Sequence, residues 1–213
     1  MTSDIFDFHT HHPDATSAII SVHPSQFDPQ PGKWYSVGIH PWDTVNGYTD
    51  ADLDLLKRYA SHPQVLAIGE TGMDSLRGAE LDLQAALFIR HLQLAHAVGK
   101  PVVVHTVRTS RQILDARRQA GLNAVPLVIH GMRGNEHVAR VLLDAGCCLS
   151  FGPHFNTTAV LVTPSDRLLI ETDDTNATID EVATLVAQTL GQKPDDIKKT
   201  AADNARRLLS IHS

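Results

Sequence analysis

Apolar residues occur along this chain in short runs, and from residue 34 onward each run is followed by a longer amphipathic stretch. Residues 34–39 (Trp-Tyr-Ser-Val-Gly-Ile) predict a strand ending at His40-Pro41. Residues 50–61 predict a helix opened by Asp50, with Leu53, Leu56 and Tyr59 on one face. Residues 65–69 form the next strand, ending at Glu70. A helix over residues 80–98 follows, with Leu81, Ala85, Phe88, Leu92 and Ala95 on one stripe. Gly99 stops that helix, and Pro101 turns the chain into Val102-Val103-Val104, which ends at His105. The cycle repeats with a helix over 109–120, a strand over 127–129 ending at His130, a helix over 135–145 and a strand over 147–151. After a loop, Leu168-Leu169-Ile170 leads through Glu171 and Thr172 to Asp173, and helices over 178–190 and 194–209 close the chain.

Strands this short and this uniformly apolar suit a parallel sheet whose outer face is covered by helices. The N-terminal third departs from the cycle. It holds an opening strand around Ile5, Phe6 and Phe8 and a second over 18–22, but Pro13, Pro24, Pro29 and Pro31 leave no room for a long helix. The expected fold is α/β, a TIM-type (β/α) barrel trimmed in its N-terminal third, with residues 1–213 forming one domain. At 213 residues it is shorter than the usual barrel of about 250.

The chemistry gathers at the strand ends. In Asp7-Phe8-His9-Thr10-His11, alternate residues face the same side, so two imidazoles can serve one cation from one strand end. Glu70, His105, His130 and Asp173 each stand at or just past the end of their own apolar run. One recurring position for a metal-binding side chain describes a site at the mouth of a barrel. Such ligands accept zinc, manganese, magnesium or nickel. A bridging carboxylate can hold two metals about 3.5–4 Å apart, and Glu70, flanked by Gly69 and Gly72, is the natural bridge. Asp173 is placed to orient a nucleophile and handle its proton. Each ligand histidine calls for a partner on its second ring nitrogen, and Asp7 is a candidate for that role or for a structural one.

The formal charge of −6 counts against tight, passive nucleic-acid binding, which needs clustered Lys and Arg. It counts less against catalysis on phosphate esters, since two divalent cations make a pocket locally positive. Arg77, Arg108 and Arg133 fall on the same loops as the candidate ligands, where a guanidinium suits phosphate. Trp42 could stack on a base or simply pack. Of the 13 histidines, His62, His91, His96, His137 and His212 are expected at the surface or partly buried, without function. Cys147 and Cys148 read as packed thiols of a reducing compartment. The N-terminal residues lack the pattern of a signal peptide, and no apolar stretch nears the ~20 residues of a membrane span. Cytoplasmic location, a monomeric state and no membrane partner are the expectations.

Several motifs, in order, resemble the TatD family of metal-dependent hydrolases and deoxyribonucleases. They are Asp7-Phe8-His9-Thr10-His11, Gly38-Ile39-His40-Pro41, Ala67-Ile68-Gly69-Glu70-Thr71-Gly72-Met73-Asp74, Pro101 to His105, Val128-Ile129-His130-Gly131, Leu168 to Asp173, and Asn204-Ala205-Arg206-Arg207-Leu208. Gln84 and Phe88 match the family's helix before the fifth strand. The resemblance implies a TIM-type barrel with two divalent metal ions. His9, His11, Glu70 and Asp173 would bind one, and Glu70, His105 and His130 the other. It places His40 near a substrate phosphate and Asp74 on the loop beyond Glu70; with Arg108 and Arg133 from their loop positions, these are the expected substrate-binding residues. Loops differ from the family's pattern at Ser75-Leu76, at Gly131-Met132-Arg133-Gly134 and at Asp174-Thr175-Asn176-Ala177.

The activity implied is hydrolysis of phosphodiester bonds in DNA, by 3′-5′ exonuclease action, or of a small phosphoester. An amidohydrolase on the same site is the alternative, although no Lys stands at a strand end to supply the carboxylated bridge common in related barrels. A PHP-type phosphoesterase also opens with His-x-His, but the single Glu on the fourth strand and single late Asp favour the TatD order. A metal-binding barrel without catalysis is the reading from a different class.

Overall fold

The computed structural model describes residues 4–209. His212 and residues 1–3, read above from sequence, lie outside them. The strands are β1 (Asp7–Thr10), β2 (Ala18–Val22), β3 (Trp34–Val37), β4 (Val65–Asp74), β5 (Val102–Val107), β6 (Leu127–Ile129), β7 (Cys148–Phe151) and β8 (Leu168–Ile170). The helices are α1 (Asp50–Ala60), α2 (Leu81–Val98), α3 (Ser110–Gln119), α4 (Glu136–Asp144), α5 (Thr157–Val162), α6 (Ile179–Leu190) and α7 (Pro194–Leu208). The chain divides into two compact units, a continuous one (Ser21–Leu127) and a split one (Met1–Ile20 with Val128–Ser213), the boundaries falling inside β2 and β6.

In the continuous unit the strands are parallel. β3 pairs with β4 through Tyr35↔Val65 and Val37↔Ile68, and β4 with β5 through Ile68↔Val102 and then Thr71↔Val104 to Asp74↔Val107. The core is made by Ile39, Leu56, Ile68, Leu87, Phe88, Leu92 and Val103, all fully buried. α1 begins with a capping box, in which Thr49 accepts the Asp52 N–H and the Asp52 carboxylate accepts the Thr49 N–H. Short 3-10 turns at Pro24–Gln26 and Pro41–Asn46 follow β2 and β3, so no long helix precedes α1, as the prolines predict.

β4 runs to Asp74, well past the expected end at residue 69, and this alters the site. Gly69, expected as the last strand residue, and Gly72, expected beyond it, both lie within the strand. Gly72 stands opposite His105 on β5, with φ 145°, and a Cβ there would run into the His105 carbonyl oxygen. At Gly38 an added Cβ would lie 2.5 Å from the backbone of Gly69 and Glu70. Glycine here marks two strands lying too close for a side chain.

In the split unit, β6 pairs with β7 at Val128↔Cys148, and β7 with β8 at Leu149↔Leu168 and Phe151↔Ile170. β1 pairs with β2 at Asp7↔Ala18 and Thr10↔Ile20. Just past β8, Thr10 and Asp173 form a further parallel bridge. Phe8, Leu142, Leu149, Phe151, Val160, Leu169 and Val186 form this core. α5 occupies a segment expected as loop. It is six residues long and rich in β-branched side chains, a weak helix signal, and the Asn156 side chain starts it by accepting the Thr158 N–H.

His91, expected near the surface, is fully buried on α2. Its Nδ1 is 2.9 Å from the Leu87 carbonyl and its Nε2 accepts the Ile39 N–H at 3.0 Å, so the ring is the neutral Nδ1–H tautomer. It ties α2 to the residue before His40. Burial pushes its pKa down to about 4 from 6.5, against a smaller upward pull from the Leu87 carbonyl. The stability it contributes is therefore full above pH 6.5 and falls by up to about 1.4 kcal/mol per pH unit towards pH 4. We expect His91→Phe, which leaves the Ile39 N–H without its acceptor, to cost about 1–3 kcal/mol at pH 7.5 in urea unfolding. The gap to wild type should narrow as the pH is lowered from 6.5 to 4.5.

Candidate metal centre

In the split unit the end of β1 meets the end of β8. Asp173 donates its N–H to the His9 carbonyl at 3.0 Å, and His11 donates its N–H to the Asp173 carbonyl at 3.0 Å. This clamp holds Asp173 at φ 55°, in the left-handed region that few residues other than glycine adopt. Its carboxylate Oδ1 lies 3.7 Å from His9 Nε2 and 3.7 Å from His11 Nε2. Those separations are too long for hydrogen bonds. Two donors ~2.0–2.1 Å from one zinc ion at the tetrahedral angle stand ~3.4 Å apart, so the spacing is close to that of ligands around a cation. Two imidazoles and a carboxylate also form a donor set that zinc accepts, so these residues fit a metal. His130 adds to the same unit, with its ring centroid 4.3 Å from that of His9.

Behind His130 stands Glu171, fully buried. Its Oε1 accepts the Gly131 N–H at 2.5 Å and lies 3.4 Å from His130 Nδ1. His130, Glu171 and Asp173 form a second group of possible metal donors. Sequence reading passed over Glu171. The signal was its position two residues before Asp173, the strand period that places both on one face.

The continuous unit builds its own cluster from β3, β4 and β5. Glu70 Oε1 lies 2.9 Å from His40 Nε2 and 2.9 Å from His105 Nδ1, and Glu70 is 4% exposed. His40 Nδ1 accepts the Trp42 N–H at 3.1 Å, so its Nε2 carries the proton and donates to Glu70. His40, expected near a substrate phosphate, stands beside Glu70 and His105, and the three would make a metal-donor group only with the proton gone from Nε2. Asp74, expected on a loop, is the last residue of β4 and is buried. Its carboxylate meets Trp42 Nε1 at 2.7 Å and His105 Nε2 at 3.3 Å. Burial pushes the Asp74 carboxyl up, but the hydrogen bonds from Trp42, Leu76 and His105 outweigh it and hold the group below its ordinary value. Arg77 lies over the Trp42 ring at 4.5 Å. Arg108, at φ 57°, and Arg133 are exposed on the loops after β5 and β6.

The Asp7 carboxylate, expected to partner a ligand histidine or to serve structure, takes a hydrogen bond from the His9 backbone. It accepts the Thr172 N–H at 3.0 Å and the Thr172 hydroxyl at 2.6 Å, which anchors the residue before Asp173. Burial pushes its carboxyl up to about 7, against the Thr172 hydrogen bonds, with the nearby Glu171 adding to the rise.

Histidines and carboxylates gathered at the ends of parallel strands describe a metal-dependent hydrolase. Comparison with known proteins agrees. The sequence pattern of TatD related DNases matches residues 9–210, and the chain belongs to the TatD family. A Mycobacterium tuberculosis relative, named an uncharacterized metal-dependent hydrolase TatD, is 29% identical over 202 residues, covering 83% of this chain and 76% of its own. A Cronobacter turicensis relative, named 3′-5′ ssDNA/RNA exonuclease TatD, is 33% identical over 153 residues, 67% of this chain and 57% of its own. A crystal structure of a TatD homologue from Escherichia coli superposes with a TM-score of 0.82 at 19% identity, covering 100% of both chains, and this likeness shows the TIM-barrel fold. Among the described residues no helix is long and apolar enough to cross a membrane.

Asp7 gives this site a pH signature. Its folded pKa lies above the ordinary 3.8, so the stability it contributes is full below pH 3.8 and is lost as the pH rises through about 7. Asp7→Asn removes that loss. In metal-free protein we expect the variant to gain on wild type by up to about 1.4 kcal/mol per pH unit between pH 4 and 7, and to level off above. Urea unfolding at stepped pH reads the difference. The opposite slope from His91 is common to both proteins and cancels.

Proposed function

We propose that this TatD-family hydrolase cleaves phosphodiester bonds, acting as a 3′-5′ exonuclease on single-stranded DNA. His9, His11, Glu70, His105, His130 and Asp173 would hold two divalent cations, with zinc, manganese or magnesium as candidates. The observation that carries the reading is the placement of the imidazoles of His9, on β1, and His11, just past it, at 3.7 Å from one Asp173 oxygen. When bound, the cations lower the pKa of water towards neutrality and counter the charge that builds on a phosphoryl group.

The chain's own groups supply the rest. Asp173 orients the attacking water and takes its proton at the carboxylate. The hydrogen bonds that clamp its backbone set its direction before substrate arrives. The N–H at His40 Nε2 points at Glu70 and keeps that carboxylate fixed. Exposed Arg108 and Arg133 supply guanidinium donors for substrate phosphates, in keeping with their position on loops that follow ligand-bearing strands. The P–O bond to the 3′ oxygen breaks, and the shortened strand keeps a 3′-hydroxyl.

Chelation should abolish turnover, and added zinc, manganese or magnesium should restore it. Asp173→Asn should lower kcat by about 10²–10⁴-fold with smaller change in KM. Glu70→Gln should lower the number of metals bound per chain. Full activity and two metals in Glu70→Gln would remove Glu70 from the ligand set. Single-stranded DNA, phosphomonoesters and amides assayed side by side identify the bond cleaved. Turnover on amides alone would replace the nuclease reading with that of an amidohydrolase. Bound metal with no turnover on any of them would leave a binding protein.

A further inference from the structure

Asp74 is 3% exposed, and four donors meet its two oxygens. Oδ1 accepts the N–H groups of Leu76 at 2.8 Å and Arg77 at 3.2 Å. Oδ2 accepts the Trp42 indole N–H at 2.7 Å and lies 3.3 Å from His105 Nε2. An ionised carboxylate offers about four acceptor positions, so little remains for an incoming substrate. Its route to the candidate centre runs through His105, whose other nitrogen, Nδ1, is 2.9 Å from Glu70 Oε1.

An imidazole binds a cation only through an unprotonated nitrogen, and the hydrogen bond at the other nitrogen decides which one that is. Both His105 nitrogens face a carboxylate, Nδ1 at 2.9 Å from Glu70 and Nε2 at 3.3 Å from Asp74, and each can share a proton there. A cation held by Glu70 would take the place of the proton at Nδ1, and Asp74 would keep the other on Nε2. Period two along β4 puts Glu70 and Asp74 on one face, with Gly72 between them opposite His105. The missing side chain at Gly72 leaves room for the His105 backbone against β4, and the ring meets both carboxylates.

We propose that Asp74 is a positioning residue that fixes the tautomer and rotation of His105 so that Nδ1 is its metal-binding atom, and that Trp42 holds Asp74 in place for this task. Trp42 suits that role. Its indole N–H is spent on Asp74, Arg77 covers its ring at 4.5 Å, and the His40 ring meets it edge-on at 4.7 Å. The inference rests on the reading of His105 as a metal ligand.

The test uses the full chain loaded with zinc. Nitrogen-15 NMR reports the state of each His105 ring nitrogen, and chelator competition gives the affinity of each bound zinc. In wild type, Nδ1 should be metal-bound and Nε2 protonated. Asp74→Asn keeps the shape of the side chain but removes its charge and sets an NH2 either against the N–H groups of Leu76 and Arg77 or against Trp42 and His105. It should weaken one zinc by about 10–100-fold and mix the His105 ring states. Trp42→Phe should weaken the same zinc by less and leave the other unchanged. It also serves as the second probe should Asp74→Asn not fold. Wild-type affinity together with an unchanged His105 signal in either folded variant overturns the role assigned to that residue. A wild-type protein whose zinc does not touch His105 overturns the ligand reading itself, a separate outcome visible before any substitution is made.

Discussion

The pairing of β1 with the chain just past β8 is the constraint on which the candidate centre depends. Residues far apart in sequence are brought together by two backbone hydrogen bonds at one residue, Asp173. A shift of one residue in that register would turn His9 and His11 to the opposite face and leave Asp173 without them. Several side chains secure the register. Asp7 grips both the N–H and the hydroxyl of Thr172, the Thr172 and Thr10 hydroxyl oxygens lie 2.8 Å apart, and the Thr10 hydroxyl donates to the Asp173 carbonyl at 3.2 Å. The left-handed backbone at Asp173 is unfavourable alone and persists because these contacts over-determine it.

The two units share one design. Each backs one of its own candidate ligand histidines with a buried carboxylate: Asp74 behind His105 in one, and Glu171 behind His130 in the other. Each of these carboxylates is itself held by backbone N–H groups, of Leu76 and Arg77 in one case and of Gly131 in the other. A buried imidazole with nothing to orient it could present either nitrogen. The carboxylates convert a side chain with several orientations into one with a direction, before any ligand binds.

Much of this was legible in the sequence because the signals were local. Apolar runs ending in His or an acid located nearly every strand end, and helix stripes stopped by glycine located the helices. What escaped depended on through-space proximity. The apolar run stops at residue 69, and the rest of β4 is held by its pairing with β5, so the strand was expected to end early and the resemblance put Asp74 on a loop. His91 sits within a helical pattern, and only the tertiary position of Ile39 reveals that it is buried and bonded. Glu171 stands just past the end of β8, and only its period-two relation to Asp173 marks it. α5 was hidden by its length, since six residues give too few turns for a stripe to show.

The crowding at Gly38 and Gly72 carries a lesson about divergence. Around these two positions there is no space in which a mutation could be accommodated by adjusting a rotamer, because the obstacle is backbone. The strand-end framework can therefore change only by moving whole segments, whereas the exposed loops bearing Arg108 and Arg133 meet no such barrier. Over long evolutionary drift, new substrate preferences should arise in those loops while the scaffold beneath stays nearly frozen.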